Sequence, residues 1–198
     1  MMKIIDISQE VFSGRVYPGD RSPSRKQVKT IARDHYNLSD IHLCVHNGTH
    51  IDAPRHFLAA GQTVDQLPLE LFYGTCTVAQ FSGMINERSI TPVLAVCHER
   101  LLLQGDCEIS DGAAQALADS QVKLVGVESQ SVGNPDAPLS VHLTLLAADV
   151  ILLEGLRLSD VAPGEYMLAA FPLKLADTEG SPVRAVLIEL PEGRCATK

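Results

Sequence analysis

The chain has 198 residues, the length of one ordinary domain, and its 45% hydrophobic content at a mean hydropathy of +0.09 can bury a core without disulfides. A formal net charge of −8 with no basic run excludes the electrostatic footprint of a nucleic-acid or anionic-membrane binder. The absence of Trp and an aromatic content of 5% argue against a stacking platform for single strands.

The start, Met1-Met2-Lys3-Ile4-Ile5-Asp6, lacks the apolar stretch of a secretory signal. The most apolar later segment, Leu143 to Leu153, is too short to span a bilayer and carries Asp149. Five cysteines (Cys44, Cys76, Cys97, Cys107 and Cys195) are odd in number and never spaced C-x-x-C, which fits reduced thiols in a cytoplasmic protein.

Taken in chain order, short β-branched or apolar runs predict strands over Lys3–Ile7, Ile41–Val45, Thr75–Phe81, Val93–Cys97, Val122–Val127, Val150–Leu153, Tyr166–Phe171 and Val183–Leu190. Asp65–Phe72 reads as a short helical turn. Asp111–Asp119, with an acidic start and an Ala/Leu/Gln run, reads as a helix, as does Leu139–Ala148 after Pro138. No repeat or Pro/Gly/Ser linker marks a boundary, so residues 1–198 are expected to form a single mixed α/β domain, strand-rich with a few helices.

The chemistry concentrates in His46-Asn47-Gly48-Thr49-His50-Ile51-Asp52-Ala53-Pro54-Arg55-His56-Phe57. A helix here would stack His46 on His50 as in zinc helices, but Gly48, two β-branched residues and Pro54 oppose it. Extended, the even positions share one face, yet His46 and His50 would stand about 13 Å apart at Cα. The chain must therefore bend between them, and Gly48 permits it. The expected picture is a strand with Ile41, Leu43 and Val45 packed inward, ending in a kinked, ligand-rich loop. A lone histidine is ordinarily a surface or satisfied core residue; three beside an aspartate on one face would lose hydration for little return without a cation. Imidazole and carboxylate without thiolate suit zinc, manganese, iron or another borderline divalent ion. A second, weaker signal is His142 in the helix after Pro138, with Glu154 ending the run Asp149–Leu153. Carboxylates at strand ends often build α/β sites.

The His46–Phe57 segment resembles the H-x-G-T-H-x-D-x-P-x-H-F signature of the cyclase-like metal-dependent hydrolases, a family that includes bacterial kynurenine formamidase (arylformamidase) and isatin hydrolase. Tyr17-Pro18-Gly19-Asp20, Val125-Gly126-Val127 followed by Ser131, Ile151–Leu156 and the closing segments Phe171–Leu175 and Gly180–Val186 agree in order. The resemblance implies a swivelling β/β/α domain, a homodimer or higher homo-oligomer, and one or two zinc or manganese ions per chain. His46, His50 and Asp52 would hold one ion, Asp52 would bridge to a second on His142 and Glu154, and His56 would be the catalytic general acid and base beside a metal-bound hydroxide. Tyr17 and Phe57 are candidate substrate-binding residues.

The chain departs from kynurenine formamidase-like relatives in carrying Tyr17 for Trp and in having Glu128 and Gly133 where aspartates are usual. These changes touch the substrate pocket and spare the metal ligands. The resulting expectation is hydrolysis of a small-molecule amide, most like an arylformamidase. The alternatives are a lactam, cyclic imide or ester hydrolase of the isatin hydrolase kind, a cyclase or dehydratase, and a non-catalytic metal-dependent binding protein. The last would have no use for His56, since a structural ion fills its own coordination.

Overall fold

The computed structural model describes residues 3–133 and 138–189, so Cys195 and Leu190 lie outside the described residues. The elements in chain order are β1 (Ile4–Asp6), β2 (Ser24–Lys29), α1 (Ile31–Asp34), β3 (Leu38–His42), β4 (His50–Asp52), β5 (Tyr73–Gln80), β6 (Gly83–Ile85), α2 (Glu87–Leu94), β7 (Arg100–Gln104) and β8 (Cys107–Ile109). There follow α3 (Asp111–Ala118), β9 (Leu124–Val127), α4 (Pro138–Ala147), β10 (Ile151–Glu154), β11 (Gly164–Ala169), β12 (Gly180–Pro182) and β13 (Val186–Glu189). Short 3-10 turns at Pro54–His56, Val64–Gln66 and Leu69–Phe72 link β4 to β5.

One mixed sheet carries the fold, in the order β1-β13-β11-β5-β7-β9-β10-β4-β12. Its middle strands β5, β7, β9 and β10 run parallel, and both flanks are antiparallel. Of these, β7, β9 and β10 are buried on both faces, which is why Leu101-Leu102-Leu103 and Ile151-Leu152-Leu153 read as unbroken apolar runs. Alternate residues feed two cores. Leu101, Leu103, Val125 and Leu152 pack under α2, α3 and α4, while Leu102, Leu124, Ile151 and Leu153 join Phe72, Leu168 and Leu187 on the other face. The sheet curls until the segment after β1 meets the segment after β10: Ser8 bridges Leu156, and the Arg157 N–H donates to the Ile7 carbonyl at 2.9 Å.

The strand-rich α/β architecture is as expected, and so are both helices and the turns over 65–72. α4 is apolar on several sides because it is buried between the sheet and its neighbours, with Val141, Leu145 and Leu146 in the core. Two strand expectations fail. Val93–Cys97 is not a strand: Val93 and Leu94 end α2, which starts at an Asn86 cap whose side chain accepts from the Ser89 N–H at 3.1 Å. Asn86 and Ser89 cap each other reciprocally, and that pair outweighs the strand propensity of the residues that follow. Ile41–Val45 is not an inward-packed strand either. Only Ile41 and His42 are extended, at the end of β3, and Ile41 is 62% exposed. Among the described residues β3 pairs with β2 alone in a separate two-stranded arm and is exposed at every position.

Candidate metal centre

Gly48 sits at φ +68, the left-handed bend that the histidine spacing demands. It folds His46 back over β4, so that the His46 and His50 rings lie 5.1 Å apart at near right angles instead of at opposite ends of a strand. β4 is wedged between β10 and β12, with Glu154 directly opposite His50 and Leu152 opposite Asp52. Residues opposed across an antiparallel pair share a face, so His50, Asp52 and Glu154 all point toward α4. That helix contributes the buried His142, and the turn after Pro54 contributes His56.

Five side chains gather around Asp52, which is fully buried. The His46 Nδ1 lies 2.8 Å from Asp52 Oδ1, and the His50 Nε2 lies 3.5 Å from the same oxygen and 3.3 Å from Glu154 Oε2. The His142 Nε2 is 3.7 Å from Asp52 Oδ2 and 3.4 Å from Glu154 Oε1, and the His56 Nε2 is 3.9 Å from Asp52 Oδ2. Surrounding groups aim these donors. His50 Nδ1 hydrogen-bonds the Gly48 carbonyl at 3.0 Å, which turns Nε2 inward, and Glu154 Oε1 accepts from the Val132 N–H at 2.8 Å. Phe57 stacks on His142 with ring centroids 4.4 Å apart and meets His56 edge-on at 4.5 Å.

The electrostatics are those of a cation site. Burial works against a charge on His50, but the hydrogen bond to Glu154 and the Asp52 and Glu154 carboxylates win, raising it to about 9. Burial would likewise raise Asp52, yet the His46 hydrogen bond and the surrounding imidazoles hold it well below the usual carboxylate range. His56 goes the other way: burial first, then His46 and His142, pull it below an ordinary histidine against the opposing carboxylates. Asp52 Oδ2 and His46 Nε2 are buried without a hydrogen-bond partner, a costly arrangement that a bound divalent cation would relieve.

Two groups satisfy a ligand-like geometry, His46/Asp52/His56 and His50/Asp52/Glu154, and Asp52 belongs to both. This donor chemistry of imidazole and carboxylate fits a divalent metal. Asp52 stands in both groups, and the imidazoles divide differently from the expectation: His56 stands in the group with His46, and His50 in the group with Glu154.

Every site residue singled out from the sequence is at this place. Tyr17, His46, His50, His56, Phe57, His142 and Glu154 line a cavity of about 260 Å³, and Asp52 is buried against four of these side chains, His46, His50, His56 and His142. Phe57 both lines the cavity and packs against the core beneath the helices. Sequence reasoning missed three lining residues, Asp20, Gln130 and Ser131. Asp20 was signalled by Pro18-Gly19, a turn dipeptide, and the other two by the polar run that follows β9. Glu128 has a structural role: its carboxylate accepts from the Gly105 N–H at 2.7 Å and the Leu158 N–H at 2.8 Å, tying two loops together. Gly133 lines an adjoining cavity instead of the one over the donors.

Comparison with known proteins agrees with this geometry. The profile of the putative cyclase family matches residues 5–100. Kynurenine formamidase of Salinibacter ruber (strain DSM 13855 / M31) is 35% identical, covering 96% of this chain and all of the relative. The structure of a predicted metal-dependent hydrolase from Bacillus stearothermophilus superposes with a TM-score of 0.83 at 30% identity, over 96% of this chain and all of that one. Isatin hydrolase A from Labrenzia aggregata, solved with benzyl benzoate, shares the fold with a TM-score of 0.78 at 21% identity, over 94% of this chain and 93% of that one. With a relative this similar end to end and a donor cluster in the signature segment, the chain belongs to the cyclase family of metal-dependent hydrolases.

Proposed function

We propose that the protein hydrolyses the amide bond of a small aryl formamide, as an arylformamidase does, with divalent metal held by His46, His50, Asp52, His142 and Glu154. The observation that carries this reading is the shared position of Asp52, a buried member of two ligand-like groups whose histidines and Glu154 line a cavity of about 260 Å³. The kynurenine formamidase relative supplies the reaction class. A bound divalent cation contributes Lewis acidity, lowering the pKa of a coordinated water toward about 7 and polarising a carbonyl oxygen.

The remaining work falls to this chain's side chains. His56, half-buried and held edge-on to Phe57, is kept neutral by burial and by its imidazole neighbours, so its free nitrogen can take a proton from the attacking water. The same nitrogen returns that proton to the leaving amine as the carbon–nitrogen bond breaks, giving a carboxylic acid and an arylamine. Asp52 and Glu154 orient the imidazoles, and Phe57 and Tyr17 wall the cavity.

Zinc or manganese, in one or two ions per chain, is the metal that the family resemblance implies and that these donors accommodate, and a cytoplasmic setting suits the four free cysteines among the described residues. No helix among these residues is long and apolar enough to cross a membrane. The homodimer also belongs to this proposal. Its support is the β2–β3 arm, where Ile31, Tyr36, Leu38 and Ile41 are exposed. Within residues 21–42, Arg21, Arg25, Lys26, Lys29 and Arg33 face only Asp34 and Asp40, in a chain of net charge −8. A basic, apolar arm on an acidic body complements the body of a second copy.

The test is a screen of aryl formamides, lactams and cyclic imides against protein stripped with chelator and reloaded with zinc or manganese. Formate and arylamine released in equal amounts, lost on stripping and restored by metal, is the expected result. Turnover of lactams alone would move the reading to an isatin hydrolase-like reaction, and no turnover by metal-replete protein would overturn it.

A further inference from the structure

Tyr17-Pro18-Gly19-Asp20 forms a tight turn. The Asp20 N–H donates to the Tyr17 carbonyl at 3.0 Å, and Gly19 takes φ +101, the value that the third position of a type II turn requires after a proline. The turn presents both of its end residues to the cavity over the metal donors. Asp20 joins neither ligand-like group, and among the described residues its carboxylate has no ion pair or side-chain hydrogen bond. Among the described residues no lysine or arginine lines this cavity, nor the adjoining one of about 190 Å³, which shares Tyr17, Gln130 and Ser131 and adds Asp106 and Glu108. The other carboxylates around the donors are engaged: Asp52 with His46, and Glu154 with His50, His142 and the Val132 N–H. The cations of this site, the His50 imidazole and any bound metal, face Asp52 and Glu154, so a half-buried carboxylate at the cavity rim with no lysine or arginine beside it is open to a cation on the ligand.

We propose that Asp20 is a specificity-determining residue that receives a protonated amine of the substrate, so that the site favours aryl formamides carrying an ammonium group on the ring. This rests on the amidase reading above. The carboxylate accepts a hydrogen bond from the ammonium while the amide carbonyl sits over the metal donors. Substrates with a carboxylate at that position are disfavoured by like-charge repulsion.

The experiment compares N-formyl-4-(aminomethyl)aniline, cationic at pH 7, with the neutral N-formyl-p-toluidine, using metal-loaded full-length protein. The wild type should favour the cationic amide in kcat/KM. Asp20→Asn should lower that cationic-to-neutral ratio by about 5–10-fold, chiefly through KM, as a partly exposed charge-assisted hydrogen bond commands. Asp20→Glu should restore part of the ratio, which a merely structural turn residue would not do. A wild type without preference, or a ratio unchanged in Asp20→Asn, overturns the proposal. If neither amide is hydrolysed, the amidase reading falls on its own. Calorimetric binding of 4-(aminomethyl)aniline and p-toluidine to wild type and Asp20→Asn then decides: tighter binding of the diamine that is lost in the variant supports the role of Asp20, and equal binding refutes it.

Discussion

β3 and β4 lie on either side of Gly48 and have similar local character, short and rich in β-branched or polar residues, yet they have opposite fates. Leu38–His42 is exposed at every position, paired only with β2, whereas His50–Asp52 is buried at every position between β10 and β12. The difference comes from their neighbours. β4 has a strand on each side, a core beneath Ile51 and α4 across from its ligands, while β3 has one partner and solvent. Buried strands can hold an ionisable cluster to within a few tenths of an ångström, and exposed arms can be spent on association.

The largest effect that would break this contrast lies at Asp52. Asp52→Asn should lower the metal content of both groups and reduce hydrolysis to that of chelator-stripped protein, measured by elemental analysis beside an activity assay. Retention of full metal would show that the shared position is not a bridge. Next, His56→Ala should cost about 10²–10⁴-fold in hydrolysis, the usual share of a general acid–base residue, with metal content near wild type. Because His56 also stands within reach of a ligand role, a parallel fall in metal would reassign it from proton carrier to ligand. His142→Ala should instead lower the metal count per chain, and an unchanged count would remove it from the ligand set.

The smaller effects test the packing side of the comparison. Ile51→Ala removes a fully buried side chain from beneath the ligands and should destabilise the fold by about 2–5 kcal/mol in urea unfolding. Ile41→Ser, at an exposed arm position, should change monomer stability by less than about 0.5 kcal/mol, yet shift sedimentation toward the monomer. A large loss of stability at Ile41 would show that the arm belongs to the core after all.

Much of the site was legible because its constraints are local. The spacing of His46, His50, Asp52 and His56 with Gly48 between them is incompatible with a helix and with a straight strand, so a bend was the remaining solution. His142 and Glu154 were less legible from the residues alone, since only the β4–β10 register and the seating of α4 bring them within 4 Å of the cluster. The arm was misread because apolar β-branched residues carry the same propensity whether or not a second layer covers them. α2 was misread because a reciprocal cap at Asn86 and Ser89 governs residues several positions downstream.

By itself, the order of residues determined the chemical inventory, the kink at Gly48 and the apolar runs of β9 and β10, because each follows from backbone sterics or side-chain hydration within a short window. Tertiary structure alone decided how the imidazoles divide around Asp52, that Glu128 staples two loops, and that Asp20 faces the cavity. Those outcomes depend on strand order and on the closing of the curled sheet, which bring together segments far apart in the chain.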